Sequence, residues 1–152
     1  MKTHARIVVV PGTLGSLGPI REFVKEAAAE AGLDSKRTYR LQLAVDEISS
    51  NIVIHGYEEH GLTGDVEVRA EIAPDSLTIT LIDSAVAYNP LNRPQPEDLD
   101  APLENRMIGG LGVYLAIKNV DEFLYRYVDG CNHNLFVVKL PAVQEPAVSI
   151  EG

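Results

Sequence analysis

Cysteine is almost absent from this chain. The single residue, Cys131, cannot close an intramolecular disulfide, so the fold must rest on its own core, and the usage fits a reducing compartment. Long apolar runs are missing as well. No stretch approaches the ~20 residues that a membrane helix needs, and no apolar h-region marks the N-terminus, which leads us to expect a cytoplasmic chain without membrane attachment. Basic residues are few, 13 Lys and Arg against 22 Asp and Glu, for a net charge of −9. That deficit argues against a nucleic-acid partner, whose phosphate backbone is held by clustered Lys and Arg. A small phosphorylated ligand stays possible, because Mg²⁺ and oriented backbone N–H groups offset phosphate charge locally. The acidic balance also suits a protein partner with a basic face. Internal repeats and linkers are lacking. What remains, 152 residues with 45% hydrophobic and 23% charged content, is ordinary for one soluble domain with one core.

Residues 6–10 form a short β-branched run closed by Pro11-Gly12, which predicts a first strand. Ser16-Leu17-Gly18-Pro19 reads as a helix start, and Ile20, Phe23, Val24 and Ala27 recur at helical spacing before a capping Gly32. Asp34 or Ser35 caps a second helix, expected to run through Glu47 and Asn51 and to stop at Gly56. Residues 65–73 and 77–83 alternate around Pro74-Asp75-Ser76, predicting a hairpin that ends at Asp83. Residues 89–106, with Pro90, Pro94, Pro96 and Asp98, read as a long loop. Gly109-Gly110-Leu111-Gly112 opens a third helix, and residues 122–127 and 134–140 make a last hairpin around Asp129-Gly130. These elements predict a two-layer α/β sandwich, a mixed and mostly antiparallel sheet covered on one face by three helices. Residues 1–140 are expected to be the domain and 141–152 a flexible tail.

Three groups of residues carry chemistry. The first is Glu47, Asn51 and His55 at i, i+4 and i+8, about 40° apart in succession and so on one stripe of the second helix, beside the apolar Leu41, Ala44, Val45, Ile48 and Ile52. A glutamate beside an asparagine suits a general base next to a metal ligand. The second is Asp83, a carboxylate at a strand's end that can accept a hydrogen bond from the exocyclic amine of adenine, an offer guanine cannot match there. The third is the glycine cluster at a helix N-terminus, where consecutive N–H groups and the helix dipole can face a phosphate.

In this order the three groups resemble the boxes of the Bergerat-fold (GHKL) ATPases, which include histidine-kinase catalytic domains, gyrase-type subunits and anti-sigma-factor serine kinases. The phrases Leu43-Ala44-Val45-Asp46-Glu47, Asn51…His55-Gly56-Tyr57 and Gly109-Gly110-Leu111-Gly112-Val113-Tyr114-Leu115 are similar to those of the small RsbW-type anti-sigma-factor serine/threonine kinases, and the likeness spans about residues 6–140. The resemblance implies ATP and Mg²⁺, with Asn51 as the metal ligand, Glu47 as the catalytic base and Asp83 on the adenine. It implies that residues 91–106 form a lid closing with Gly109, Gly110, Leu111 and Gly112, and that Arg106 is a candidate γ-phosphate contact. Tyr88 either packs near the adenine or joins the core; His55 either orients Glu47 or is held by the helix dipole. The implied partners are a STAS-domain antagonist, phosphorylated on serine or threonine, and a sigma factor, with the kinase often a homodimer.

The chain departs from the family in its first glycine box, Asp83-Ser84-Ala85-Val86-Ala87-Tyr88-Asn89-Pro90, where Ala85 replaces a glycine beside the base. A methyl group fits there if φ is negative and is strained if φ is positive. A binding module without useful phosphotransfer is therefore the alternative, slightly favoured by Ala85 and Ala87. A histidine-kinase catalytic domain is less expected, since no helical hairpin precedes Arg6.

Overall fold

The structure is a computed structural model and describes residues 3–92 and 110–141. A five-stranded sheet has the order β1-β2-β3-β5-β4, with β1 His4–Pro11, β2 Asp65–Ala73, β3 Ser76–Asp83, β4 Glu122–Val128 and β5 Cys131–Lys139. Three helices accompany it: α1 Leu17–Ala31, α2 Ser35–Asn51 and α3 Gly110–Lys118. Two layers, sheet and helices, give the expected α/β sandwich.

All four strand pairings are antiparallel, so the described sheet has no parallel pair where a mixed one was expected. The connections explain this. Helix α1 leads the chain away from the end of β1 and α2 brings it back, so β2 starts opposite the residue where β1 stops, Pro11 pairing with Asp65. Strands β2 and β3 join through Pro74-Asp75. Strands β4 and β5 join through Asp129-Gly130, both with positive φ (52° and 77°), the conformation a two-residue hairpin turn requires.

The helices form where the sequence punctuates them. Asp34 accepts a hydrogen bond from Arg37 N–H at 2.8 Å and caps α2; Gly32 closes α1 in the left-handed conformation at φ 81°. Their apolar stripes (Ile20, Phe23, Val24 and Ala27 on α1; Leu41, Ala44, Val45 and Ile48 on α2) pack on the inward residues Val66, Val68, Leu77, Ile79, Leu81, Phe136 and Val138 of the sheet.

Two boundaries differ from the sequence expectation. Helix α2 does not stop at Gly56: after Asn51 the chain widens into a π-helical segment, Ile52–Tyr57, then a 3₁₀ turn, Glu58–His60, ended by Gly61 at φ 65°. The segment ends on Tyr57, 1% exposed and anchored at the ends of β2 and β3. Its hydroxyl donates to Asp65 O at 2.8 Å and accepts from Ser84 N–H at 3.0 Å. Its ring fits only because Gly12 and Gly64 lie against it; a Cβ on either would approach ring atoms to 2.7 or 2.8 Å. The second difference is β5, which begins at Cys131 rather than residue 134 and so carries one further inward residue, Asn132, beside Asn134.

Tyr57→Phe keeps the ring and strands the Asp65 carbonyl and Ser84 N–H. It is expected to lower the unfolding free energy by about 1–3 kcal/mol, read as a lower urea midpoint at unchanged slope. An unchanged midpoint would show that the hydroxyl ties nothing together.

Candidate functional site

At the end of β3, beside the π-helical segment, lies a cavity of about 290 Å³. Asn51, Ile52, His55 and Gly56 line it from the helical side, Asp83, Ala85 and Tyr88 from β3 and the loop after it, and Asn132 and Asn134 from β5. Asp83 is 3% exposed. Its Oδ1 accepts from Ala85 N–H at 3.0 Å and from Asn132 Nδ2 at 2.9 Å, while its Oδ2 is buried without a partner among the described residues.

Asn132 is a residue the sequence reading missed. It stands opposite Asp83 in the register and binds five groups. Its amide donates to Asp83 Oδ1, to Ala85 O at 3.3 Å and to Val86 O at 3.1 Å. Its Oδ1 accepts from Tyr88 N–H at 3.1 Å and from the Tyr125 hydroxyl. Asn132 thus ties the loop after β3 to β5 and fixes the orientation of the Asp83 carboxylate. The alternation of β5 could have found it, had the strand been started at Cys131.

Burial pushes the Asp83 carboxyl above its ordinary value of 3.8, against the opposing bonds from Asn132 and Ala85 and the charge of His133. Burial likewise raises the Tyr125 hydroxyl above its ordinary 10.0.

Ala85 is buried and lines the cavity, and the strain that a methyl group could bring is absent. Asp129 is the one non-glycine residue with positive φ among those described. Room for the methyl is made by Gly56, where a Cβ would meet Ala85 Cβ at 2.9 Å. Tyr88 is 43% exposed, so it belongs to the cavity wall and not to the core. His55 is exposed at the rim, its Nδ1 2.9 Å from Glu59 Oε2. It stands beyond the change to π-helical winding, which alters the 3.6-residue register of the expected stripe.

Glu47 faces α3. It is half-buried, and its carboxylate lies on the Cα of Gly112: a Cβ there would meet Glu47 Cδ at 2.6 Å and Oε1 at 2.8 Å, with Oε2 nearer still. Gly110, Leu111 and Gly112 form the first turn of α3. Arg106, Gly109 and the expected lid beyond Asn92 lie outside the described residues, as does the expected tail. The structure therefore brings Asn51, Asp83, Ala85 and Tyr88 to one cavity, and Glu47 to Gly112 one helical turn before Asn51.

Comparison with known proteins gives this arrangement a family. Residues 10–137 match the model of the histidine kinase-like ATPase domain. The serine-protein kinase RsbW of Bacillus mycoides (strain KBAB4) is 28% identical over 115 residues, 74% of this chain and 68% of that protein. RsbW of Bacillus licheniformis is 28% identical over 109 residues, covering 70% of this chain and 68% of the relative. RsbW of Bacillus cereus (strain ATCC 10987) is 30% identical over 115 residues, covering 74% and 68%. The chain belongs to the histidine kinase-like ATPase family, and within it to the RsbW-type kinases. Among the described residues no helix is long and apolar enough to cross a membrane.

Two outcomes follow from the geometry. Because the folded state protonates Asp83 more readily than the unfolded chain does, its ionised form is a net cost to the fold. That cost is absent below pH 3.8 and complete above the raised value. Asp83→Asn is expected to be more stable than the native chain near neutral pH, by on the order of 1 kcal/mol, with the advantage shrinking as pH falls toward the ordinary carboxylate range. Thermal melts across the acid-to-neutral range check this, and a variant less stable at neutral pH contradicts it. Gly112→Ala must displace the Glu47 carboxylate or the first turn of α3. It is expected to lose about 1–3 kcal/mol as an overpacked site, and Gly112→Ala/Glu47→Ala should recover most of that loss.

Proposed function

We propose that this protein is an ATP-dependent serine/threonine protein kinase that phosphorylates a small regulatory partner, by family likeness a STAS-domain antagonist, and that it also binds a sigma factor as an anti-sigma factor. The observation that carries the reading is Asp83. A buried carboxylate with one oxygen held and the other without a partner, on a cavity of nucleobase scale, fits a ligand that brings an N–H donor. The amino group of adenine is such a donor; the carbonyl oxygen of guanine is not.

The remaining residues fit the rest of the nucleotide. Asn51 offers a hard carboxamide oxygen, the kind of ligand Mg²⁺ takes, and would hold the ion. When bound, Mg²⁺ supplies charge neutralisation at the phosphate oxygens. Gly110 and Gly112 carry no side chain at the start of α3, and its N–H groups suit phosphate oxygens. Arg106 is assigned to the γ-phosphate on sequence grounds. Glu47 is the base: a partner hydroxyl attacks the γ-phosphorus, a new O–P bond forms as the bond to ADP breaks, and the hydroxyl proton passes to the Glu47 carboxylate. Positioning and charge stabilisation do most of the work in such a transfer. The family's implied homodimer and cytoplasmic location belong to the same reading.

Ala85 does not count against nucleotide binding, because its methyl group packs over Gly56 without backbone strain.

Calorimetric titration with ATP and ADP, with and without Mg²⁺, tests the first half. Mg²⁺-dependent ATP binding that Asp83→Asn abolishes is expected, and no binding at millimolar nucleotide would leave only a protein-binding module. Phosphotransfer to neighbouring STAS proteins tests the second half. Glu47→Ala should keep ATP binding and lose about 10²–10⁴-fold in transfer rate; an undiminished rate would remove Glu47 from the chemistry.

A further inference from the structure

The cavity holds a second buried acceptor that the reading above does not use. Asn134 is 2% exposed and lines the same cavity, and its Oδ1 has no hydrogen-bond partner among the described residues. Register places it beside Asp83. Asp83 pairs with Asn132 and Leu81 with Asn134, so Asp83 and Asn134 are diagonal neighbours on the inward face of β3 and β5. Diagonal neighbours stand about 7–8 Å apart at Cα, within joint reach of one small group. The third side-chain oxygen in this condition, Ser49 Oγ, is on α2 and does not line the cavity.

An acceptor buried without a partner costs about 1–3 kcal/mol, and two on one cavity wall call for a common explanation. Their arrangement selects the chemistry. Asn132 occupies Asp83 Oδ1, which leaves Oδ2 as the carboxylate's open oxygen. Two acceptors side by side match a group that presents two N–H bonds from one atom, and the exocyclic amine of an aminopurine does so in the ring plane. A carbonyl at that ring position would oppose the Asp83 carboxylate and offer Asn134 Oδ1 no proton. A carboxamide is also a known partner for the amino edge of adenine.

We propose that Asn134 is a specificity-determining residue of the cavity, its Oδ1 taking one proton of the nucleobase amino group while Asp83 Oδ2 takes the other. This rests on the adenine-nucleotide reading above. It makes discrimination against guanine a joint property of β3 and β5: an inosine or guanine nucleotide loses both hydrogen bonds of the amino group and sets its carbonyl against Asp83 Oδ2, regaining Asn134 only by turning its carboxamide over.

The test is calorimetric titration of the full chain with ATP, GTP and purine riboside triphosphate, which lacks the amino group, for the native protein, Asn134→Leu, Asn134→Ala and Asp83→Asn. The native protein should bind purine riboside triphosphate about 10- to 100-fold more weakly than ATP. Asn134→Leu should weaken ATP about three- to tenfold and leave purine riboside triphosphate unchanged, since that ligand offers Asn134 nothing. Equal weakening of both ligands would mean a structural role, and no weakening of either would mean that Asn134 meets water or nothing; each overturns the inference. Should Asn134→Leu fail to fold, Asn134→Ala and the native ATP to purine riboside ratio decide it, a ratio near one being contrary. A native chain that binds no ATP sinks the nucleotide reading as a whole. ATP binding that needs Asp83 but ignores Asn134 sinks this inference alone.

Discussion

A carboxylate withdrawn from water at the end of a strand is expensive, and in this chain the cost is partly offset by an asparagine on the neighbouring strand and by the Ala85 N–H. Asn132 gives Asp83 a donor and at the same time holds the two loop carbonyls that follow and accepts from Tyr88 and Tyr125. The result is a satisfied network on one side of the carboxylate and, among the described residues, an unpartnered buried oxygen on the other. A polar network of this kind is worth having only when nearly every member is paired. Among the described residues the side-chain oxygens left without a partner here are Asp83 Oδ2 and Asn134 Oδ1, on two residues that line the cavity. Everything else at that end of the sheet, the path of the loop, the exposure of Tyr88 and the burial of Ala85, is arranged around the Asp83–Asn132 pair.

The helical side of the cavity depends on a different constraint. Tyr57 is buried with its hydroxyl on Asp65 and Ser84, and the chain reaches it from Asn51 through wider winding. The π-helical segment is the local adjustment, and such segments recur at functional sites. It brings Gly56 against Ala85, so a glycine on one wall and an alanine on the other share the space that a methyl needs. The same hydroxyl that anchors Tyr57 accepts from Ser84 N–H, the residue between Asp83 and Ala85. The two walls of the cavity are therefore fixed to each other through a single side chain.

Much of this was legible in the residues. Alternation gave β2 and β3, Asp34 and Gly32 gave the ends of the first two helices, and the fold class followed from the order of the elements. The individual positions at the cavity were less legible. Asn132 fell between the expected strands, next to Asp129-Gly130, and Asn134 stood at the expected start of the last one; pairing with β3 makes both inward strand residues. The π-helical turn is invisible to periodicity, since it goes with the tertiary anchoring of Tyr57, its last residue. Ala85 read as a defect against the family pattern because its compensating partner, Gly56, is 29 positions away in sequence and adjacent only in space.

Gly112 shows how one residue type can satisfy two demands. From sequence, a glycine at the start of α3 suggests close approach by a phosphate. The structure supplies a reason that needs no ligand: the Glu47 carboxylate already occupies the place where a Cβ would project. A helix start is where negative charge is favoured, whatever its origin. The two carboxylates of the region thus stand in opposite environments. Asp83 is enclosed by apolar and neutral groups, with its carboxyl raised toward protonation by burial. Glu47 is half-buried against the bare backbone of a helix's first turn. The two carboxylates thus differ in surroundings more than in side-chain identity, one enclosed at a cavity wall and the other laid against bare backbone.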